Sequence, residues 1–168
     1  TSRNRLPLNE ITIAEELKRA GYYTVQIGKW HLGNQANFPK TQGFDKQFAV
    51  GGAGPGRGGY FAPYSGLYGI PQGPDGEYIA ERLTKEACNT LETLKDKKFF
   101  LYMAHFNVHS PYQGKPDLVS KYDEKASENP GSKQRHPTMA AMIHSLDESI
   151  GKVNDKLKEL GLEDNTII

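Results

Sequence analysis

Two stretches of the sequence bring reactive side chains to the end of strand-like runs. The first, YYTVQIGKWHLGN (Tyr22–Asn34), carries Lys29, the chain's single tryptophan Trp30, and His31 between two glycines. The second, FFLYMAHFNVHSPYQGKP, delivers His109 followed by Ser110 and Pro111. Lys29 and His31 are two residues apart, so extended geometry would send both side chains to one side. A permanent cation beside a titratable donor can grip one anion. Pro111 keeps the residue before it out of the helical region, so His109 reads as an imidazole fixed at a strand end and placed for acid or base work. The competing explanation is a capped strand end, with Trp30 packed on the core and the charges in water.

Other residues point away from chemistry. His105 and His109 in HFNVH have the spacing of a helical zinc pair, but the segment ends a strand-like run and no glutamate follows the first histidine. No metal site is expected from the residues of this chain. His105 reads as a strand residue with its ring hydrogen-bonded, and His136 and His144, just before and on a long helix, as solvated or structural. Cys88 is the sole cysteine, which excludes an intrachain disulfide and a zinc site built on several thiolates. Nothing around it would lower its pKa, so it reads as a structural thiol. The glycines of GAGPGRGG lack a following GK[ST] and a strand-to-helix setting, so they are not a phosphate-cradling loop.

The elements that must position these residues alternate between helix and strand. In ITIAEELKRAG, Thr12 and Glu15 have capping-box spacing, Ile13 and Leu17 share a face, and Gly21 can close the helix in the left-handed conformation. YYTVQI follows as a strand rich in aromatic and β-branched residues. From Asn34 to Gly76 glycine, proline and aromatics read as one long irregular excursion. EYIAERLTKEACNTLETLK then carries Ile79, Leu83, Ala87, Leu91 and Leu94 in one apolar stripe. FFLYMAHF is a continuous apolar run, the pattern of a central strand covered on both faces. After a loop, Met139, Met142, Leu146, Ile150, Val153, Leu157 and Leu160 recur at spacings of three and four, a long amphipathic helix. NTII reads as the opening of another buried strand. The order implies an α/β protein with a mostly parallel sheet flanked by helices, in which ligands gather at the carboxyl ends of the strands. Both reactive stretches lie at such ends.

Length and charge set the remaining bounds. The 168 residues suit one domain. A net charge of +1, from 21 basic and 20 acidic residues, gives no electrostatic footprint for nucleic acid. No apolar run approaches the roughly 20 residues that span a bilayer, and TSRNRLPLNE is not of signal-peptide type.

With these residues in view, EITIAEELKRAGYYTVQIGKWHLG resembles a signature region of the sulfatase family, in which helix and strand lead into G-K-W-H-L-G. QGFDKQF, FFLYMAHFNVHSPYQGKPDLVSKY and HPTMAAMIHSLDESIGKVNDKLKELGLEDNTII are similar, in order and spacing, to further segments of bacterial polysaccharide sulfatases and N-acetylgalactosamine-6-sulfatase-like enzymes. The resemblance implies an alkaline-phosphatase-like α/β fold and hydrolysis of sulfate esters by a formylglycine, with Ca²⁺ helping to bind the sulfate. It implies that Lys29 binds the sulfate and the formylglycine oxygen. It implies that His31 orients or deprotonates the formylglycine hydroxyl, and that His109 contacts the sulfate near the leaving oxygen. Lys115 and the loop Gly51–Gly76 are candidate specificity elements. The implied partner is a sulfated carbohydrate or small sulfate ester, and the implied location is periplasmic or secreted.

The departures matter equally. The C/S-x-P-x-R motif that becomes formylglycine is absent, as are the aspartates and D-N-G segment that supply the calcium ligands. Residues 1–168 therefore read as the central portion of a single catalytic domain, truncated at both ends. Formylglycine and calcium are expected outside this chain. Three alternatives stay open: a phosphodiesterase or phosphonate hydrolase of the same superfamily, a non-catalytic relative binding sulfated glycans, and a scaffold in which Lys29 and His31 merely cap a turn. The expectation for the chain alone is no turnover of aryl sulfates and no rise in melting temperature with calcium. A clear calcium-dependent stabilisation in a thermal melt would overturn that reading.

Overall fold

A computed structural model describes residues 4–52 and 54–168. Thr1–Arg3 of the opening TSRNR and position 53 of the glycine-rich run lie outside the described residues. The elements are α1 (Ile13–Arg19), β1 (Tyr23–Lys29), β2 (Lys46–Gly51), α2 (Ile79–Leu94), β3 (Phe99–Ala104), α3 (Pro116–Glu128) and α4 (Pro137–Glu159), with short 3-10 turns between some of them. Thr12 and Glu15 close a reciprocal capping box on α1, and Gly21 beyond its end has φ +84°.

The three strands form one parallel sheet in the order β2-β1-β3. All three carboxyl ends therefore meet at one edge, the edge where open α/β sheets bind ligands. β1 and β3 are neighbours, as the family likeness requires, with Tyr23 opposite Phe99 and Gly28 opposite Ala104. One face of the sheet, through Val25 and Ile27, packs on Leu83 and Ala87 of α2 and Met142 of α4. Phe99, Leu101 and Met103 of β3 join that core, whereas Phe100 joins a second core made by Ala14 of α1, Trp30, Phe44 and Val50. The alternation along β3 shows that the two cores lie on opposite faces.

Several expectations change here. The central strand is β1, paired on both edges and buried without interruption from Thr24 to Gly28, because the two cores cover both of its faces. β3, expected to be central, is an edge strand of the described sheet, and Tyr102 is 43% exposed. The excursion from Asn34 to Gly76 is not wholly irregular: KQFAVG forms β2, too short and too close to glycines to show a strand period. A helix, α3, occupies Pro116–Glu128, where the sequence reading had a loop; its proline at the first helical position is a start signal that went unused. NTII is not a strand among the described residues. Glu163–Asn165 form a 3-10 turn, and Ile167 and Ile168 are exposed.

The long helix α4 also departs from its apolar stripe. Met142 and Leu157 are buried, but Ile150 is 48% exposed while Ala141, Ser145 and Ser149 are covered. α4 meets α2 through a hydroxyl pair, Thr84 with Ser149, which demands small side chains at the contact. Ser149 also meets His105 Nε2 at 3.2 Å, just beyond β3, so one hydroxyl ties α2, α4 and the sheet. His105 lies one residue past β3 rather than in the strand, and its ring is hydrogen-bonded at Nε2 while the buried Nδ1 is left without a partner among the described residues; burial pushes its imidazole down to about 4.

This depression has a definite sign. The folded state prefers neutral His105, so its contribution is fully present above the unfolded value near 6.5 and is lost as pH falls toward 4. The full loss is about 3 kcal/mol. A His105→Gln variant keeps a polar partner for Ser149 without the titration. The expected result is a gap in melting temperature between wild type and variant that shrinks steadily from pH 7 to pH 4.5; a pH-independent gap would remove His105 from the account.

Candidate active site

The site begins with a break in regular pairing. β1 and β2 run in step through Ile27 opposite Phe48, then Lys29 pairs with Gly51, so β2 uses three residues where β1 uses two. Ala49, at φ +56°, takes up the extra residue as a β-bulge, which re-aims the end of the strand. On the other side of β1, Gly28 has φ +98° and packs so closely on β3 that a Cβ would overlap the Ala104 carbonyl oxygen. The buried Gln26 amide supports this kink, donating to the Gly28 carbonyl at 2.8 Å.

Beyond Lys29 the strand geometry stops. The N–H groups of Trp30 and His31 both point at the Gly51 carbonyl, at 2.9 and 3.3 Å. His31 adopts φ +48°, a left-handed conformation that costs about 1 kcal/mol for a non-glycine residue. The premise that Lys29 and His31 share a side through extended geometry is thus replaced: a bulge and a tight turn orient them instead. Trp30 is the buried member of the turn, its indole N–H donating to the Asn37 carbonyl at 2.8 Å and its ring edge-on to Phe44. Lys29 is half-buried and His31 exposed. Among the described residues, Lys29 has no carboxylate partner, so its charge is available to an anion.

The second loop arrives at the same place. Phe106 packs against Gly51, His31 lies 3.9 Å from the position a Gly52 Cβ would take, and His109 Nδ1 lies 3.3 Å from that of Gly54. Gly52 and Gly54 are two peptide steps apart, at most about 7 Å. The two imidazoles, 78 positions apart in sequence, therefore lie beside Gly52 and Gly54, just beyond the carboxyl end of β2 and next to Gly51, the residue paired with Lys29. His109 Nδ1 is 2.6 Å from the Ser110 carbonyl. A carbonyl only accepts, so Nδ1 carries the proton and Nε2 is left as the working nitrogen. His31 also borders a cleft of about 740 Å³ whose other wall includes Arg5, Glu10 and Thr12. The Leu6 N–H donates to the Leu32 carbonyl at 2.9 Å and holds that wall against the turn.

Lys115 is held between two helices. It is the residue before α3, and its ammonium contacts Glu81 of α2 at 2.9 Å and Glu148 of α4 at 3.1 Å. Burial pulls Lys115 down, but the two carboxylates outweigh it and hold the ammonium above its ordinary value, while Glu148 is held below its own. Its charge is already matched. His136 caps α4 by accepting the Met139 N–H, and His144 contacts Tyr122 and Glu148. Burial pushes the Cys88 thiol up, away from nucleophile character. Among the described residues no three His, Cys, Asp or Glu side chains are grouped to hold a metal ion, so calcium finds no fitting cluster among them. Tyr60, whose hydroxyl reaches the His109 backbone, went unnoticed in the sequence; the only available signal was a tyrosine inside a glycine-rich run.

A parallel sheet flanked by helices, with Lys29 at the end of β1 and His31 and His109 beside the glycines that follow β2, defines an α/β protein with its candidate residues at the carboxyl edge of the sheet. The chain belongs to the sulfatase family, whose model, described as Sulfatase, matches residues 1–168. It is 33% identical over 184 residues to arylsulfatase J of Mus musculus, covering 100% of this chain and 29% of the relative. It is 30% identical to N-acetylgalactosamine-6-sulfatase of Homo sapiens, covering 97% and 32%. The structure of Ps i-CgsB in complex with k-i-k-neocarrahexaose superposes with a TM-score of 0.76 at 25% identity, covering 99% of this chain and 40% of that one. The fold is thus the alkaline-phosphatase-like fold of sulfatases. The chain spans about a third of the length of these curated relatives.

Lys115→Met should lower stability by about 2 kcal/mol, since it strands two carboxylates that lose a charged partner. In the full-length protein its KM should stay within about twofold of wild type. A KM raised tenfold without loss of melting temperature would instead return Lys115 to substrate binding.

Proposed function

We propose that the protein containing this chain hydrolyses sulfate esters, with Lys29, His31 and His109 handling the sulfuryl group. The observation that carries the reading is that His31, from the turn after β1, and His109, from the loop after β3, lie beside Gly52 and Gly54 at the carboxyl end of β2, in a chain that matches the sulfatase family along its whole length. Sulfuryl transfer places negative charge on the sulfate oxygens and on the leaving oxygen. Lys29 supplies a fixed cation to the first. His109, with its Nδ1–H committed to the Ser110 carbonyl, gives the Nε2 proton of its imidazolium form to the second and is left as the neutral Nδ1–H imidazole. His31, exposed at the cleft, is the second imidazole able to hold or move a proton beside the bound anion.

Members of the family generally depend on calcium and formylglycine, which supply the nucleophile and further charge neutralisation. No cluster of the described residues fits calcium, and the C/S-x-P-x-R motif is absent from the sequence, so the part of these residues is binding, orientation and proton transfer. The substrate in this proposal is a sulfated carbohydrate, supported by relatives named for N-acetylgalactosamine-6-sulfate and by a neighbour holding a neocarrahexaose. Residues 1–168 are the central portion of one catalytic domain in the same proposal, and the parent protein is exported. Among the described residues no helix is long and apolar enough to cross a membrane.

The test uses the full-length protein on paired sulfate and phosphate esters. Lys29→Ala and His109→Ala should lower kcat on the sulfate ester by about 100-fold or more while KM changes little, as for groups that act on charge developing in the transition state. His31→Ala should behave similarly. His109→Ala should also cost more on a sugar sulfate than on an aryl sulfate, whose leaving oxygen needs less protonation. Alanine variants that alter only melting temperature would sink the site, and preference for the phosphate ester would sink the reaction.

A further inference from the structure

We propose that Tyr60 is the positioning residue for His109, and that the Gly/Pro/Tyr excursion exists at this point to deliver it. This rests on the reading of His109 as a working imidazole. Tyr60 is fully buried, and its phenol oxygen lies in the crook of the turn Phe106–His109. It accepts the His109 N–H at 3.0 Å, and its own proton faces the Phe106 carbonyl at 2.8 Å and the His109 carbonyl at 3.0 Å. One hydroxyl therefore bridges both ends of the four-residue turn that presents the imidazole. Burial pushes the Tyr60 phenol up, so it stays protonated and able to donate.

The same tyrosine is itself held in place. Its N–H donates to Gln113 Oε1 at 2.8 Å, so the return arm of the His109 loop is bound to the tyrosine that grips the outward arm. Its ring stacks on Tyr78 with centroids 5.7 Å apart, and the Tyr78 hydroxyl donates to the Gln113 carbonyl at 2.9 Å. Its carbonyl accepts the Ile79 N–H at 2.8 Å, at the first turn of α2. His109 is thus tied through Tyr60 to a helix on the rigid face of the sheet, the arrangement by which a supporting residue holds a reacting group to within a fraction of an ångström. Loss of the hydroxyl leaves a buried N–H and carbonyl unpaired and frees the turn.

The experiment compares Tyr60→Phe, His109→Ala and Tyr64→Phe in the full-length protein, with 4-nitrophenyl sulfate and 4-nitrophenyl phosphate as probes. Tyr64 is a matched control: it is buried in the same excursion, and its hydroxyl reaches the Glu77 carbonyl and carboxylate rather than His109. The expected result is a 10- to 100-fold fall in kcat for Tyr60→Phe with KM within threefold, and Tyr64→Phe within twofold of wild type at a comparable loss of melting temperature. Hydrogen exchange at the His109 amide should quicken at least tenfold in Tyr60→Phe while α4 is unchanged. If His109→Ala is impaired but Tyr60→Phe keeps its kcat and its His109 protection, the positioning role is overturned and the site stands. If His109→Ala is fully active, the reading of His109 falls, and the positioning role falls with it. Equal losses in Tyr60→Phe and Tyr64→Phe, tracking melting temperature, would likewise overturn the inference.

Discussion

Everything at the candidate site depends on β1 having partners on both edges. A strand that pairs in parallel with two neighbours cannot slide or tilt independently, and it brings three carboxyl ends to one line. The cost is that all three strand ends compete for the same space. The bulge at Ala49 and the kink at Gly28 resolve that competition, one on each side of β1 and within a residue or two of Lys29. Lys29 is the last residue that the sheet still controls. Trp30 then leaves for the core, and His31 is turned outward by a backbone conformation that regular strand never uses.

Buried polar groups convert this edge into a rigid frame. Tyr60 and Tyr78 bind the loop after β3 to the start of α2, and Ser149 ties His105 to Thr84 between the helices. Each of these hydroxyls sits where an unpaired backbone or imidazole group would otherwise be stranded in a low-dielectric interior. The loops around His31 and His109 therefore carry fewer degrees of freedom than their glycine content suggests. Charge is arranged by the same logic: Lys115 is neutralised by two carboxylates between helices, whereas Lys29, at the sheet edge, is left without one among the described residues. Two lysines of the same chain thus have opposite fates, set by which element delivers them.

Local sequence by itself determined the elements whose stabilising forces are local or strongly periodic. The capping box of α1, the stripe Ile79–Leu94 of α2 and the strand before Lys29 need only near neighbours to be recognised. The motif around Lys29 was legible for the same reason, because it sits where a strand visibly ends; the imidazole at 109, read as fixed at a strand end, lies five residues past the end of β3 and is presented by a loop. Tertiary structure alone decided the rest. β2 is six residues with no clear period, and it is a strand only because β1 offers it an edge. β3 looked central from its apolar run, yet its exposure depends on what pairs beyond it. Ile150 and Ser149 exchange the burial expected from their side chains because α4 must approach α2 through small groups. The approach of His31 to Gly52 and of His109 to Gly54, and the grip of Tyr60 on His109, join positions dozens of residues apart through hydrogen bonds and glycine contacts. No propensity or period encodes such contacts, since they exist only once the chain has closed on itself.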